Sequence, residues 1–471
     1  MLAELKGINE ECGVFGIWGH EKAAELAYYG LHSMQHRGQE GAGVAVSDGR
    51  ELKAHKGLGL VNDVFKHAEF DTLQGHAAVG HVRYSTQGGK GIDNVQPLLF
   101  RSQTGSMALA HNGNLINAHQ LRGELEIQGS ILQTSSDTEV LAHLIKRSGM
   151  ETTETSIASA LTRIKGAYAY LILKEDKMYA ALDPIGMRPL SIGRLGEAYV
   201  VASETCAFDQ IGAVFEREVM PGELVTISDE GIKSTQFAMP RQRRMCAMEY
   251  VYLSRPDSDV NMVNVHASRK QMGKELAKEA PANADIVVGV PDSSISAAIG
   301  YAEETGLPYE MGIIKNRYVG RTFIQPSQEL REQGVRMKLS PVRGIVEGKS
   351  IVMIDDSIVR GTTSRRIVQM LKEAGAAEVH VRIASPAIQH PCYYGIDMST
   401  REELIAANHT PEGISDIIGA DSVSYLSEAG LENAILKDDS LSQGICTACM
   451  TGKYPVTEDK DNNKEMSYIG W

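Results

Sequence analysis

The chain has 471 residues, 42% hydrophobic and 23% charged, with a formal net charge of −13 at pH 7. That length exceeds what one hydrophobic core holds and predicts two or three domains. The acidic balance excludes a general nucleic-acid binder, which needs a basic face. No apolar run reaches a bilayer span, so no membrane partner is expected.

The opening MLAELKGINEE, with Glu4, Lys6, Glu10 and Glu11, lacks the apolar centre of a secretory signal, and a cytoplasmic protein is expected. From residue 12 to about 235 the pattern mixes strand and helix. Apolar runs at 77–79, 107–110 and 167–173 predict strands, and 138–148 has helical periodicity. A soft boundary covers 235–265. Beyond it, strands at 285–290, 350–354 and 379–383 alternate with helices at 294–305 and 362–374. Such alternation predicts a parallel sheet covered on both faces. From about 386 onward a tail of helices and loops is expected, and its polar end TEDKDNNKEM reads as disordered. The domain division is therefore 1–11 as leader, 12–235, 236–400, and 401–471 as tail.

Cys12 lies in NEECGVFGIWG. Alone, such a cysteine reads as a small buried hydrophobe. Four further patches change that: LHSMQHRGQEGAG (31–43), GHVRYST (80–86), AHNGNL (110–115) and SSDTE (135–139). Amide hydrolysis through a thioester needs a thiolate, a base, an oxyanion hole and a grip on the substrate. An N-terminal cysteine carries its own base, because an α-amine titrates near roughly 7.7–8.0. That role requires cleavage between Glu11 and Cys12. The Asn112 amide and the Gly113 N–H suit a tetrahedral oxyanion. Free glutamine is a zwitterion: Arg83 suits its α-carboxylate bidentately, and Asp137 its α-ammonium. Each residue has a plainer use: a surface ion pair for Arg83, a type I′ turn for Asn112-Gly113, a helix N-cap for Asp137. Asp137 can serve in both roles.

Together, in this order, the patches resemble the N-terminal-nucleophile (class II) glutamine amidotransferase domain over residues 12–235. The resemblance implies a four-layer αββα sandwich of the Ntn-hydrolase type. It implies Cys12 as nucleophile, Asn112 and Gly113 as oxyanion hole, and Arg83 and Asp137 as glutamine ligands. His32, His36, His81 and His111 lack metal-ligand spacing and read as structural. Cys206 reads as a core residue.

Residues 350–363 read SIVMIDDSIVRGTT. A strand delivers its carboxyl end to the ligand crevice of a parallel sheet. Asp355 and Asp356 are placed to bind ribose hydroxyls, directly or through Mg²⁺. Gly361 lets the backbone approach a phosphate, and Thr362 and Thr363 add donors at a helix N-terminus. The Gly-Lys-Ser/Thr of a Walker loop is missing. The pattern resembles the signature of type I phosphoribosyltransferases, which implies 5-phosphoribosyl-1-pyrophosphate (PRPP) as ligand of Asp355, Asp356, Ser357, Gly361, Thr362 and Thr363. An earlier strand ends in VGVPDSS, where Ser293 would lie near the metal. Between them, 314–343 carries Lys315, Arg317, Arg321, Arg331, Arg336, Lys338 and Arg343. That basic stretch fits a lid that keeps water from a reactive donor.

Six cysteines in a long chain do not make a disulfide framework. Cys446 and Cys449 form a CxxC, and Cys246 and Cys392 are remote. Four thiolates suit structural Zn²⁺ or an iron–sulfur cluster, and the residues alone slightly favour zinc. The chain from Cys12 to about Lys453 resembles the glutamine phosphoribosylpyrophosphate amidotransferase family, in the branch with a short propeptide and a [4Fe–4S] cluster. That resemblance implies Cys246, Cys392, Cys446 and Cys449 as cluster ligands tying the tail to the body. It also implies Mg²⁺, inhibition by AMP, ADP and GMP, and a homotetramer. Tyr84, Tyr252 and Arg255 are candidates for lining an ammonia path. Two rivals are another amidotransferase, such as an asparagine or glucosamine-phosphate synthase, and a PRPP-sensing DNA-binding regulator. The IDDSIVRGTT loop counts against the first; net charge and the intact glutaminase set count against the second.

Overall fold

A computed structural model describes residues 12–66, 70–84, 91–103, 105–316, 339–396, 398, 400–436 and 444–457. Residues 1–11, the centre of the basic stretch and all of the polar end TEDKDNNKEM after its first residue fall outside the described residues.

The N-terminal unit is built from two facing antiparallel sheets. The seven-stranded sheet runs Val214–Glu218, Ser191–Leu195, Ala198–Ala202, Gly13–Trp18, Ala77–Arg83, Gly41–Ser47, Leu52–Leu58. The six-stranded sheet runs Gly231–Gln236, Glu223–Ser228, Met178–Leu182, Gly166–Leu173, Gly105–Leu115, Leu98–Ser102. Alternation along each strand shows why both faces are covered. In Gly13–Trp18, Val14 and Trp18 enter the core between the sheets, whereas Phe15 and Ile17 pack outward against helix Ala23–Ser33. In Gly166–Leu173, Ala169, Leu171 and Leu173 face that inner core, while Tyr168, Tyr170 and Ile172 face helices Thr138–Arg147 and Thr153–Leu161. Helix, sheet, sheet, helix is the expected αββα sandwich.

The C-terminal unit has a four-stranded parallel sheet ordered Ile286–Gly289, Ser350–Asp355, Glu378–Ile383, Ser422–Tyr425. Helices Val265–Glu279 and Ile295–Thr305 belong to one packed side, and Thr362–Glu373 and Pro411–Ile418 to the other. The expectation of only helices and loops beyond 386 is corrected here. Ser422–Tyr425 is the sheet's fourth strand, and Ile445–Cys446 pairs in parallel with Met245–Cys246. Both strands are short and gain their partners only through tertiary packing. The ends of the basic stretch are held together by the ladder between Ile313–Lys315 and Leu339–Pro341. No helix among the described residues is long and apolar enough to cross a membrane.

Candidate active sites

Cys12 immediately precedes Gly13–Trp18, and Gly13 lies opposite Val82 on the strand that ends at Arg83. One further step of that register sets Cys12 beside Arg83. The Cys12 thiol is buried and donates to the Tyr84 carbonyl at 3.5 Å. Arg83 is buried as well; desolvation lowers its pKa, and the nearby Cys12 and Glu40 oppose that.

Asn112 and Gly113 lie inside Gly105–Leu115, so they form no turn. Asn112 Nδ2 donates to Ser203 Oγ at 3.4 Å. Ser203 is fastened to the Cys12 strand: its Oγ accepts from Val14 N–H at 3.0 Å, and its N–H donates to Val14 O at 3.0 Å. Among the described residues Asn112 Oδ1 is buried without a hydrogen-bond partner. Gly113 has φ +138°, and a Cβ there would sit 2.1 Å from Ala167 O, so only glycine fits.

Asp137 heads helix Thr138–Arg147 but its side chain does not cap it. The carboxylate is drawn instead to Leu115 N–H, which donates to Oδ2 at 2.9 Å, and Oδ1 lies 3.6 Å from His111 Nδ1. Burial pushes its pKa up, but His111 and the backbone donors of Leu115 and Thr138 win and hold it below the usual carboxylate value. His81 is fully buried, which takes its pKa down to about 3, and its Nε2 meets His111 O at 3.1 Å. His111 stacks on Tyr170 with centroids 4.2 Å apart. His36 Nε2 is 2.7 Å from Glu204 Oε1, and Cys206 packs in the core near Glu204.

Beneath Cys12 runs a buried charge network. Arg37 Nε donates to Cys12 O at 3.1 Å, Nη1 to Glu204 Oε1 at 2.6 Å, and Nη2 to Glu249 Oε1 at 2.7 Å. Arg37 is 1% exposed and both glutamates 0%, so the charges must satisfy one another. Glu204 Oε2 also accepts from Arg255 N–H at 2.9 Å and from Ser258 Oγ at 2.8 Å, which joins the two units. Of the residues suggested for an ammonia path, Tyr84 touches Cys12 and Arg255 Nη1 donates to Ser33 O at 3.2 Å. Tyr252 packs at the edge of the C-terminal core.

In the C-terminal unit, the strand Ser350–Asp355 carries Asp355 and Asp356 to the sheet's carboxyl edge, beside the end of Ile286–Gly289. Ser294 Oγ donates to Asp355 Oδ1 at 3.0 Å, Ser293 Oγ donates to Asp356 Oδ2, and Ser357 Oγ donates to Asp356 Oδ1 at 2.6 Å. Burial, then the charge of Asp356, pushes the Asp355 carboxyl well up; burial also raises Asp356, against the serine hydroxyls and Arg269. Gly361 adopts φ +76°, a left-handed conformation, and opens helix Thr362–Glu373. Arg360 Nε donates to Glu403 Oε2 at 3.1 Å, and Lys315 Nζ to Asp292 Oδ2 at 2.6 Å.

The four remote thiols meet. Cys246, Cys392, Cys446 and Cys449 line one recess together with Met187 and Tyr394. Cys246 and Cys446 are register partners in their short ladder. Burial raises the thiol pKa of Cys446 to about 11 and pushes that of Cys449 well up. Among the described residues no three His, Cys, Asp or Glu side chains are drawn close enough to hold a single metal ion.

Comparison with known proteins decides the family. A glutamine amidotransferase domain matches residues 81–210, and a phosphoribosyl transferase domain matches residues 264–398. The chain is 66% identical over 458 residues to the amidophosphoribosyltransferase of Bacillus subtilis (strain 168), covering 97% of this chain and 96% of that one. The chain belongs to the amidophosphoribosyltransferase family. The enzyme of that name from Staphylococcus aureus (strain COL) is 56% identical over 97% of this chain and 93% of its own. A solved B. subtilis glutamine PRPP amidotransferase, complexed with ADP and GMP, superposes with a TM-score of 0.91 at 65% identity, covering 96% of this chain and 98% of that one. The chain converts glutamine, PRPP and water to 5-phosphoribosylamine, pyrophosphate and glutamate, the first step of purine synthesis.

The structure brings Cys12 beside Arg83 and the four remote thiols to one recess, but sequence reasoning missed the residues that hold Cys12 in place. Arg37 sat unnoticed inside LHSMQHRGQEGAG, and Ser203 and Glu204 inside ASETCAF. A charged residue in an otherwise small and polar motif was the available signal for Arg37. Glu249 and Arg188 carried none, because their partners lie in other units.

Proposed function

We propose that Cys12, freed of residues 1–11, attacks the glutamine side-chain amide. Its own α-amine takes the thiol proton and returns it to the departing ammonia. Asn112 Nδ2 and Gly113 N–H stabilise the tetrahedral oxyanion, Arg83 binds the α-carboxylate and Asp137 the α-ammonium. Water then hydrolyses the thioester to glutamate. Ammonia crosses to the second site and attacks C1 of PRPP, and pyrophosphate leaves with its bonding electrons. The observation that carries this reading is the convergence of Cys12, Arg83 and Asn112 at one end of two facing sheets, with Ser203 bridging the first strand to Asn112.

Asp355, Asp356, Ser357, Gly361, Thr362 and Thr363 hold PRPP, and Asp355, Asp356 and Ser293 are the residues that would hold Mg²⁺. The donor set fits: two buried adjacent carboxylates are met by hydroxyls rather than by cations. Mg²⁺ bound there would supply positive charge to the pyrophosphate that departs. Lys315 and Arg343 flank the proposed lid.

The thiol recess fits a [4Fe–4S] cluster on Cys246, Cys392, Cys446 and Cys449. The recess is lined by thiols from three separate segments of the chain. The cluster would fasten the 401–471 tail to the units at 12–235 and 236–400. ADP and GMP are proposed inhibitors, with AMP beside them, because the B. subtilis relative was solved with ADP and GMP. A cytoplasmic homotetramer completes the reading.

Cys12→Ala tests the core of it. Glutamine-dependent product formation should vanish while ammonia-dependent formation persists; continued turnover on glutamine would remove Cys12 from its role. Iron and zinc analysis of anaerobically purified protein should give iron, with a brown chromophore lost on oxidation. Sequencing of the mature N-terminus should begin at Cys12.

A further inference from the structure

We propose that residues 393–395 position the oxyanion donors of the glutaminase against its nucleophile. The idea rests on the roles given above to Cys12, Asn112 and Gly113. This segment follows Cys392 and belongs to the far end of the chain, 279 residues beyond the strand it meets.

Three consecutive residues make two hydrogen bonds and one close packing contact. Tyr393 O accepts from Asn114 Nδ2 at 2.9 Å, next to the proposed donors on the same strand. Gly395 lies against the Gly113 peptide: a Cβ built on Gly395 would stand 3.3 Å from Gly113 C and 3.4 Å from Gly113 O, and its φ is +118°. Tyr394 O accepts from Arg188 Nη2. Arg188 Nη1 lies 3.7 Å from Glu249 Oε1, Glu249 pairs with Arg37, and Arg37 Nε holds Cys12 O at 3.1 Å. Asn114 and Arg188 are buried, at 4% and 0% exposure, so neither donor has water as a substitute partner.

One segment therefore touches the donor strand directly and reaches the nucleophile's backbone through a relay of buried charges. Asn114 and Gly395 set the donor strand, and Tyr394 reaches the nucleophile's backbone through Arg188, Glu249 and Arg37. Oxyanion stabilisation depends steeply on this placement, because a donor misplaced by about 1 Å can cost about a hundredfold in rate. Residues 393–395 are positioning residues that touch no substrate.

The test uses the full-length enzyme carrying Asn114→Asp or Gly395→Ala. The first keeps the shape and turns the donor facing Tyr393 O into an acceptor; the second puts a methyl group against both Arg188 Nη2, at 3.1 Å, and the Gly113 peptide. The readout is affinity for the γ-aldehyde analogue of glutamine, whose carbonyl adds the Cys12 S–H and places an oxygen in the hole. Aldehyde affinity and glutamine-dependent kcat should fall together by about tenfold to a hundredfold, with the KM for glutamine and ammonia-dependent turnover unchanged. Unchanged aldehyde affinity in Asn114→Asp, or an equal loss in KM and in aldehyde affinity, overturns the proposal. Ammonia-dependent turnover reports folding; if Gly395→Ala fails that check, Asn114→Asp decides alone. Asn112→Ala, run in parallel, separates the two readings. If Asn112→Ala leaves aldehyde binding intact, the oxyanion assignment itself falls. If Asn112→Ala alone weakens it, only the positioning proposal falls.

Discussion

Asp137 in the N-terminal unit and Asp355 and Asp356 in the C-terminal unit are 8%, 8% and 7% exposed, yet their charges are handled oppositely. Asp137 has His111 and backbone donors beside it and is held below the usual carboxylate value. Asp355 and Asp356 face each other and serine hydroxyls, and both are pushed up. The first carboxylate has its charge compensated by neighbouring donors; the pair is met mainly by hydroxyls. The same contrast holds for the charges behind the sites. Arg37, Glu204 and Glu249 neutralise one another in the interior, where breaking one partner leaves a stranded charge.

The largest expected effect strikes the Asp355–Asp356 pair. Asp355→Asn with Asp356→Asn should remove both glutamine-dependent and ammonia-dependent synthesis, by about 10²-fold or more. Chelation of Mg²⁺ should reproduce that loss in the unaltered enzyme, with glutamine hydrolysis far less affected. If synthesis survives chelation, Asp355 and Asp356 do not act through a bound cation, and the contrast with Asp137 breaks.

A smaller effect is expected at Gly361. Alanine there must adopt φ +76°, and its Cβ would lie 2.7 Å from Ile405 Cδ1. A left-handed alanine costs about 1–2 kcal/mol, so the KM for PRPP should rise roughly tenfold while Cys12 alkylation proceeds at its normal rate. A matching change in alkylation would show that the loop is not local to the transferase half.

The smallest effect sharpens the comparison with an intermediate case. Glu218 is buried and accepts from Asn261 N–H at 3.0 Å, and burial raises its pKa to about 7 despite Arg243 nearby. A raised carboxylate stabilises the fold fully below its unfolded pKa near 4.5, and that stability is lost as pH rises through about 7. The change is on the order of 3 kcal/mol at full ionisation. Glu218→Gln should flatten the decline in Tm between pH 5 and pH 8. An unchanged decline would mean that Arg243 compensates Glu218 as fully as His111 compensates Asp137.

How much was legible in the sequence differs between the halves for a related reason. The PRPP loop is contiguous: strand, acids, glycine and threonines follow one another, so local chemistry alone exposes it. The glutaminase residues are scattered along the chain and became readable only as a set of motifs. The thiol quartet was readable as composition, but its meeting depends on the short ladder between Met245–Cys246 and Ile445–Cys446. The fourth strand, Ser422–Tyr425, was not readable, because four residues of mixed polarity carry no clear period.

By itself the sequence named the candidate reacting groups: Cys12, the Asp355–Thr363 loop, and four cysteines. Side-chain type decides what a residue can do, and spacing within one element decides where it points. Tertiary structure alone decided how those groups are held. Arg37 on Cys12 O, Ser203 between Val14 and Asn112, and residues 393–395 against Gly113 and Asn114 all depend on strand register and on packing between units. Hydrogen bonds between such distant residues leave no local periodicity, so they exist only once the chain has folded.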